Sequence, residues 1–329
     1  MQATTSQPII KLRNAVQFLG KKEERYFAFG FKKIVCNLDN FSYSPNKLTS
    51  LLYVKWEEGW SVKDTRQLKP HLGSIESFTV VARMVEIYMA IKYNLCEDEI
   101  SNSKFQTIRI KTKLCTCDIN APLSVCLVEK VANINRSDKS TSDFEITIGN
   151  FQYNVCLEYA SNSSSYGFSF DKFATSTINR RDHYYYTGYK LSNIDIENII
   201  IQNGEQTLTA IPSIKRSTSN RTCGLATSLL PELTFLDFLR IGGQLTQILL
   251  YSFDGIRRED SQNLWIRSLS AWFDDQKIKR DKISKVSLAD VKKIKYDNKT
   301  WRTAIVNLEI GSIHATAKVC HILNFNCNE

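Results

Sequence analysis

Tyr26-Phe27-Ala28-Phe29-Gly30-Phe31-Lys32 returns as Tyr184-Tyr185-Tyr186-Thr187-Gly188-Tyr189-Lys190, 158 residues further along the chain. Working outward from this stretch, other pairs recur in the same order. Leu48-Thr49 matches Leu208-Thr209, and Ile108-Arg109 matches Ile266-Arg267. Ile148-Gly149 matches Ile310-Gly311, and Val155-Cys156 matches Val319-Cys320. The offsets stay between 158 and 164 residues. No single dipeptide carries weight, but five ordered matches point to a duplicated unit.

Each half has the same order of elements. A β segment with a turn comes first, Phe31 to Lys55 in one half and Tyr189 to Ile214 in the other. The second contains Asn203-Gly204, a two-residue hairpin signal. A long apolar helix follows, expected from about Ser74 to Tyr93 and from about Pro231 to Phe253. Ile75, Phe78, Ala82, Val85 and Met89 recur at helical spacing, and Val81, Met84 and Tyr88 widen the stripe. Pro231 suits a first-turn position and Gly255 a C-terminal stop. A helix apolar around most of its circumference is buried. After each helix come further strands. They are Phe105 to Leu114, Ser124 to Asn135, Phe144 to Gly149 and Phe151 to Tyr159 in the first half. Leu264 to Phe273, Val286 to Tyr296, Ala304 to Ile310 and Ile313 to Ile322 are their equivalents in the second. The last pair of each half turns at Gly149-Asn150 or Gly311-Ser312, a glycine-first order that suits a type II′ hairpin.

A buried helix preceded by a hairpin and followed by antiparallel strands is a helix wrapped by its own sheet, the hotdog arrangement. Two in one chain make an α+β double hotdog, with the sheets joined edge to edge and the helices side by side. The expected organisation is an N-terminal hotdog over residues 11–160, a Ser-rich linker over 161–180, and a C-terminal hotdog over 181–327.

The 329 residues are 43% hydrophobic, 23% charged and 11% aromatic, an ordinary globular composition that excludes disorder over most of the chain. The net charge of +9 favours acidic partners without singling out nucleic acid. The polar N-terminus lacks a secretory signal, and Arg83 and Glu86 interrupt the most apolar run, so no membrane span and a cytoplasmic location are expected. Nine cysteines without a CxxC pair read as small hydrophobes in a reducing compartment. No metal-ligand spacing, GxGxxG, Walker loop, GxSxG or HExxH occurs.

The chemistry is expected between the halves. An offset of 158 carries His71 onto Leu229, Thr79 onto Asp237 and Glu86 onto Gln244. The halves thus differ, with a histidine before the first helix and Asp237 and Gln244 on the second. One composite site fits this asymmetry: His71 as base, Asp237 as acid or orienter, and Gln244 holding a carbonyl. Plainer readings stand beside it. Asp237 is three after Thr234, as in a capping box, and three before Arg240, as in an ion pair. Gln244 and Gln247 also suit a polar seam, and His71 a loop. Gly242-Gly243 inside a helix costs roughly 1 kcal/mol per glycine, which close approach of a strand or ligand would offset. His183 follows Arg180-Arg181-Asp182 and reads as surface. Arg257, Arg258, Arg267, Lys292, Lys293 and Lys295 make a basic region, either solvated or a dock for an acidic carrier protein or phosphate-bearing substrate.

Several of these residues carry a resemblance. Phe18-Leu19-Gly20, Glu23 to Phe27, Gly30-Phe31, Pro70-His71-Leu72, Thr234 to Phe238, Gln244 to Gln247 and Leu264 to Arg267 resemble the avirulence D (AvrD) family over nearly the whole chain. The resemblance implies a bacterial enzyme of specialised metabolism. Such an enzyme joins a β-ketoacyl chain to a small sugar or polyol, giving syringolide-like acyl glycosides, much as A-factor synthases join one to a triose phosphate. It implies no resident cofactor. The acyl group would arrive on the phosphopantetheine of CoA or of an acidic acyl-carrier protein. His71 and Asp237 are the catalytic candidates; Gln244, Gln247, Gly242, Gly243 and Arg240 are the substrate-binding ones. Dehydratases of the hotdog class carry HxxxGxxxxP and DxxxQ. Here Gly73 is two after His71, no proline follows, and Gln244 is seven after Asp237. The alternatives are a dehydratase or thioesterase on acyl-carrier substrates, and a non-catalytic double hotdog that binds an acyl ligand or partner.

Overall fold

A computed structural model describes residues 9–323 apart from 64–65, 114–116, 118, 135–138, 161–182, 217–222, 231 and 275–282. The expected linker, Pro231 and the Arg180-Asp182 run lie outside the described residues. The strands are β1 (Ile9–Asn14), β2 (Ile34–Ser44), β3 (Lys47–Trp56), β4 (Val62–Lys63), β5 (Arg66–Gln67), β6 (Lys104–Thr112), β7 (Leu123–Asn133), β8 (Lys139–Ile148) and β9 (Phe151–Ala160). The second half adds β10 (Asn193–Gln202), β11 (Thr207–Lys215), β12 (Trp265–Phe273), β13 (Ser284–Tyr296), β14 (Lys299–Ile310) and β15 (Ile313–Ile322). Thirteen of them form one antiparallel sheet in the order β1-β10-β11-β13-β14-β15-β12-β6-β9-β8-β7-β3-β2. The order is palindromic apart from β1. Each half contributes six strands in the same sequence, and the halves join where β6 pairs with β12, Lys111 opposite Ser268.

Two 20-residue helices pack on this sheet: helix one, Ser74–Tyr93, and helix two, Phe235–Asp254. Every residue of helix one from Ser74 to Ala90 is buried, which explains why its apolar positions run around the whole circumference. Helix two starts four residues later than the proline suggests. Thr234 Oγ1 accepts from the Asp237 N–H at 3.3 Å, and Asp237 Oδ2 accepts from the Thr234 N–H at 3.1 Å. This reciprocal cap fixes the first turn. Gly255, at φ +64°, ends the helix as expected. Phe78 and Phe235 meet edge to face at 4.7 Å, binding one helix to the other.

The duplication is visible in the irregularities. The β2–β3 ladder slips between Asp39 and Ser42, and the β10–β11 ladder between Glu197 and Ile200. Within these bulges Asn40 and Asn198, 158 apart, both have positive φ. At the helices the offset is 161, and at the last hairpins it is 162. The Gly149 and Gly311 turns have positive φ at the glycine alone, as a type II′ turn requires. Asn203-Gly204 does not make a two-residue turn. It opens a 3₁₀ turn, Asn203–Glu205, closed by Gln206 at φ +52°.

The strand β1 precedes the first half in sequence yet pairs with β10 of the second, Ile10 opposite Ile201. Residues 11–14, grouped with the first half on sequence position, therefore extend the sheet of the second.

Candidate functional site

Where the halves meet, the segment before helix one, the repeated aromatic motif and the start of β12 leave a cavity of about 90 Å³. Arg25, Tyr26 and Phe27 line it from the motif, His71 to Ser74 from the approach to helix one, Gln247 from helix two, and Leu264 to Ile266 from the other half. The His71 ring packs against Trp60 and Trp265, with centroids 5.1 and 5.3 Å away. Its Nδ1 is 3.2 Å from the Lys69 carbonyl oxygen. A carbonyl only accepts, so Nδ1 carries the proton and Nε2 of the neutral ring keeps its lone pair. Burial pushes the imidazole pKa below its usual value, which favours that neutral form.

Beside His71 is a pair that sequence reasoning missed. Tyr26 donates its phenolic proton to Glu76 Oε2. Glu76 is fully buried, its Oε1 has no hydrogen-bond partner, and burial pushes its carboxyl up to about 7. The pair is built by Gly73. A Cβ there would stand 2.1 Å from Tyr26 Oη and 2.7 Å from Glu76 Oε2. The signal was present in the position of Glu76, the third residue of helix one, which is the place Asp237 holds in helix two.

A second, smaller cavity of about 30 Å³ lies between helix two and the sheet. It shares Phe27, Leu264 and Ile266 with the first, and apart from the Thr246 hydroxyl its side chains are apolar. Gly242 and Gly243 both line it. A Cβ on Gly242 would be 2.8 Å from Leu308 Cδ2 of β14, and one on Gly243 would be 2.7 Å from the Phe27 ring. The two glycines therefore admit a strand on one side and Phe27 on the other.

His71 and Gln247 thus come together in the polar cavity, and Gly242 and Gly243 in the apolar one. Asp237, Arg240 and Gln244 line neither. Asp237 is fully buried and accepts from Thr234 Oγ1 at 2.7 Å and Arg216 Nη2 at 2.5 Å, with Arg240 Nη1 at 3.5 Å. Its oxygens serve the cap and two arginines, so the pairing with His71 expected from sequence is not assembled. Arg240 donates to Ser192 Oγ and the Ser192 carbonyl at 2.6 and 3.1 Å and lies over the Phe31 ring. Gln244 accepts from Arg25 Nη1 and donates to the Arg240 carbonyl, both at 3.1 Å. Its amide holds Arg25 rather than a ligand.

The mapping at offset 158 explains the discrepancy. At the helices the register is 161, so Asp237 has a counterpart, Glu76, while His71 falls opposite Glu232 and Gln244 opposite Arg83. The halves share the carboxylate but not the histidine. His183, read as surface, is 1% exposed and bonds Glu86 of helix one at 2.5 Å. Of the basic region, Arg258 is buried and lines the polar cavity.

A model of the family described as Pseudomonas avirulence D protein (AvrD) matches residues 11–324. The chain belongs to the AvrD family. Among solved structures, this AvrD-family chain is similar to an acyl-CoA thioesterase II, TesB2, from Mycobacterium marinum. The identity is 9% over 89% of this chain and 98% of that one, with a TM-score of 0.39. It is also similar to a variant of the PpsC dehydratase domain from Mycobacterium tuberculosis, 9% identical over 88% and 98%, TM-score 0.37. A 12:0-ACP thioesterase from Umbellularia californica is 9% identical over 77% and 89%, TM-score 0.35. No curated protein matches the AvrD-family chain. Among its described residues no helix is long and apolar enough to cross a membrane.

Proposed function

We propose that this AvrD-family protein is a double hotdog enzyme that takes a β-ketoacyl thioester into the seam between its halves and transfers the acyl group to a hydroxyl of a small sugar or polyol. The observation that carries this reading is the pair of adjoining cavities. One has polar and cationic side chains set among aromatic and aliphatic ones and is lined by a neutral histidine. The other is apolar, the character an acyl chain requires, and at about 30 Å³ it would need Phe27 to swing aside before more than the tip of a chain could enter. His71 Nε2 removes the proton from the acceptor hydroxyl as that oxygen attacks the thioester carbonyl. The C–S bond then breaks, and the thiolate leaves with the proton held by His71. Gly73 and Ser74 bring the N-terminal end of helix one to the cavity, where its positive end favours the developing oxyanion. Gln247 orients the substrate through its amide. Phe27 lines both cavities, and rotation of its ring off Gly243 would lengthen the apolar one. Asp237, Arg240 and Gln244 hold the scaffold.

Incubating the full chain with β-ketoacyl-CoA or a β-ketoacyl carrier protein, with and without xylulose, and reading products by mass spectrometry tests the proposal. An acylated sugar formed only with His71 intact is the expected result. Free acid as the sole product would make the protein a thioesterase, an α,β-unsaturated product a dehydratase, and binding without turnover an acyl-binding protein.

A further inference from the structure

We infer that Arg25, Lys63 and Arg258 in the wall of the polar cavity form a binding site for a phosphate group carried by one of the substrates. The inference deepens the acyl-transfer reading above and rests on it for the role of that substrate. All three residues line the cavity, and each is 3% exposed. Among the described residues none of the three has a carboxylate within 4.0 Å; their partners are neutral. Lys63 Nζ donates to Ser261 Oγ at 2.7 Å, to the Ser261 carbonyl at 3.1 Å and to the Gln262 carbonyl. Arg258 Nη2 donates to the Glu24 and Val62 carbonyls, both at 2.8 Å. Arg25 Nη1 donates to Gln244 Oε1, while its buried Nε has no partner.

Three buried cations facing one cavity with no carboxylate in ion-pair contact among the described residues are costly. Glu23, Glu24 and Glu259 attract them from beyond that distance, and an anion in the cavity offsets more of the cost. Burial chiefly, and for Lys63 and Arg25 the neighbouring arginines as well, makes these groups more acidic than usual. Burial, with Arg258 and Arg66 nearby, pushes Lys63 down to about 7, and burial, with Arg258 nearby, pushes Arg25 down to about 10. A carboxylate brings one charge and two acceptor oxygens, whereas a phosphate brings up to about two charges and more acceptor oxygens. The unpartnered Arg25 Nε can donate to it, and Lys63, its three N–H groups engaged by Ser261 and Gln262, contributes its charge. Guanidinium forks favour phosphate geometry. The depth of the site restricts it to a small molecule entering the cavity. Two sources carry a phosphate of this kind: a phosphorylated sugar acceptor, as a monoester, and a pantetheine arm, whose 4′-phosphate is a diester on a carrier protein and part of a pyrophosphate in CoA.

The test uses the full chain. Its melting temperature is compared in inorganic phosphate and in chloride at equal ionic strength. Calorimetric titrations then compare a pentulose 5-phosphate with the free pentulose, and phosphopantetheine with pantetheine. Inorganic phosphate should raise the melting temperature, and one of the two esters should bind about tenfold tighter than its unphosphorylated counterpart, which identifies the source. Lys63→Gln and Arg25→Gln should each reduce that preference about tenfold. If the wild type prefers neither ester, or if the preference survives both substitutions, the phosphate site is wrong. Acyl transfer to free xylulose without any phosphate preference would leave the enzymatic reading standing and remove this one. A phosphate preference without acyl transfer would do the reverse.

Discussion

Phe31 and Tyr189 stack on one another, ring centroids 5.8 Å apart and planes 26° apart, and each occupies the same place in the repeated motif. A duplicated element meets its own copy at this contact. Phe31 is fully buried there, with the Arg240 guanidinium 4.5 Å from its ring centre. Phe31→Ala should therefore cost about 3–5 kcal/mol, measured by urea unfolding. A change below 1 kcal/mol, on the order of a surface substitution, would deny the contact its importance.

Asp237 and His71 should separate stability from turnover. Asp237→Ala removes a helix cap and leaves Arg216 and Arg240 without their carboxylate. The expected loss is about 3–5 kcal/mol of stability, seen in denaturant melts. His71→Ala should keep the fold and lower kcat by about 10²–10⁴. In the wild type the acid limb of kcat/KM should fall below pH 6.5, because burial holds the imidazole under that value. Equal loss of stability in both variants would contradict the division of labour.

The two glycines of helix two should respond differently to a larger side chain. Gly242→Leu drives into Leu308 of β14 and should cost about 1–3 kcal/mol. Gly243→Leu meets the Phe27 ring, the movable wall shared by the cavities, and should mainly weaken binding of long acyl chains relative to short ones. Chain-length profiles and melting curves of both variants check this contrast.

Glu76 should make stability depend on pH. Its folded-state pKa is raised from 4.5 to about 7, so the folded chain holds a proton that the unfolded chain gives up. Its contribution is fully present below pH 4.5 and is lost as pH rises through 7, by about 3 kcal/mol at most. Glu76→Gln should flatten that part of the profile, as read from unfolding free energies between pH 4.5 and 8.

The fold was legible because repetition and periodicity report burial. Helix one has the bounds its apolar stripe predicts, and β15 runs from Ile313 to Ile322 as expected. The site was legible in part. Residue type and position singled out His71, Gln247 and the glycine pair, and these line the two cavities. Glu76 was missed because fixed-offset arithmetic ignores the three residues gained between the motif and the second helix, although its place as third helix residue, like that of Asp237, was there to be read. Arg25 was missed because its partner Gln244 is 219 residues away. Nothing in the local sequence tells a buried Lys63 from a solvated one; its neighbours in space, Ser261 and Gln262, are almost 200 residues away. His183 was misread for the same reason, since its partner Glu86 is in the other half.

The pairing of Ile10 with Ile201 has a bearing on how the chain is made. Strand β1 must wait for a partner 191 residues further along the chain, about 10–40 s later at ordinary rates of translation. Until then its backbone donors and acceptors are open to any passing edge. Nascent chains of this protein are thus most vulnerable to mispairing during that interval, which spans synthesis of the entire first half, and a chaperone that shields residues 9–14 would act until Asn193–Gln202 emerges.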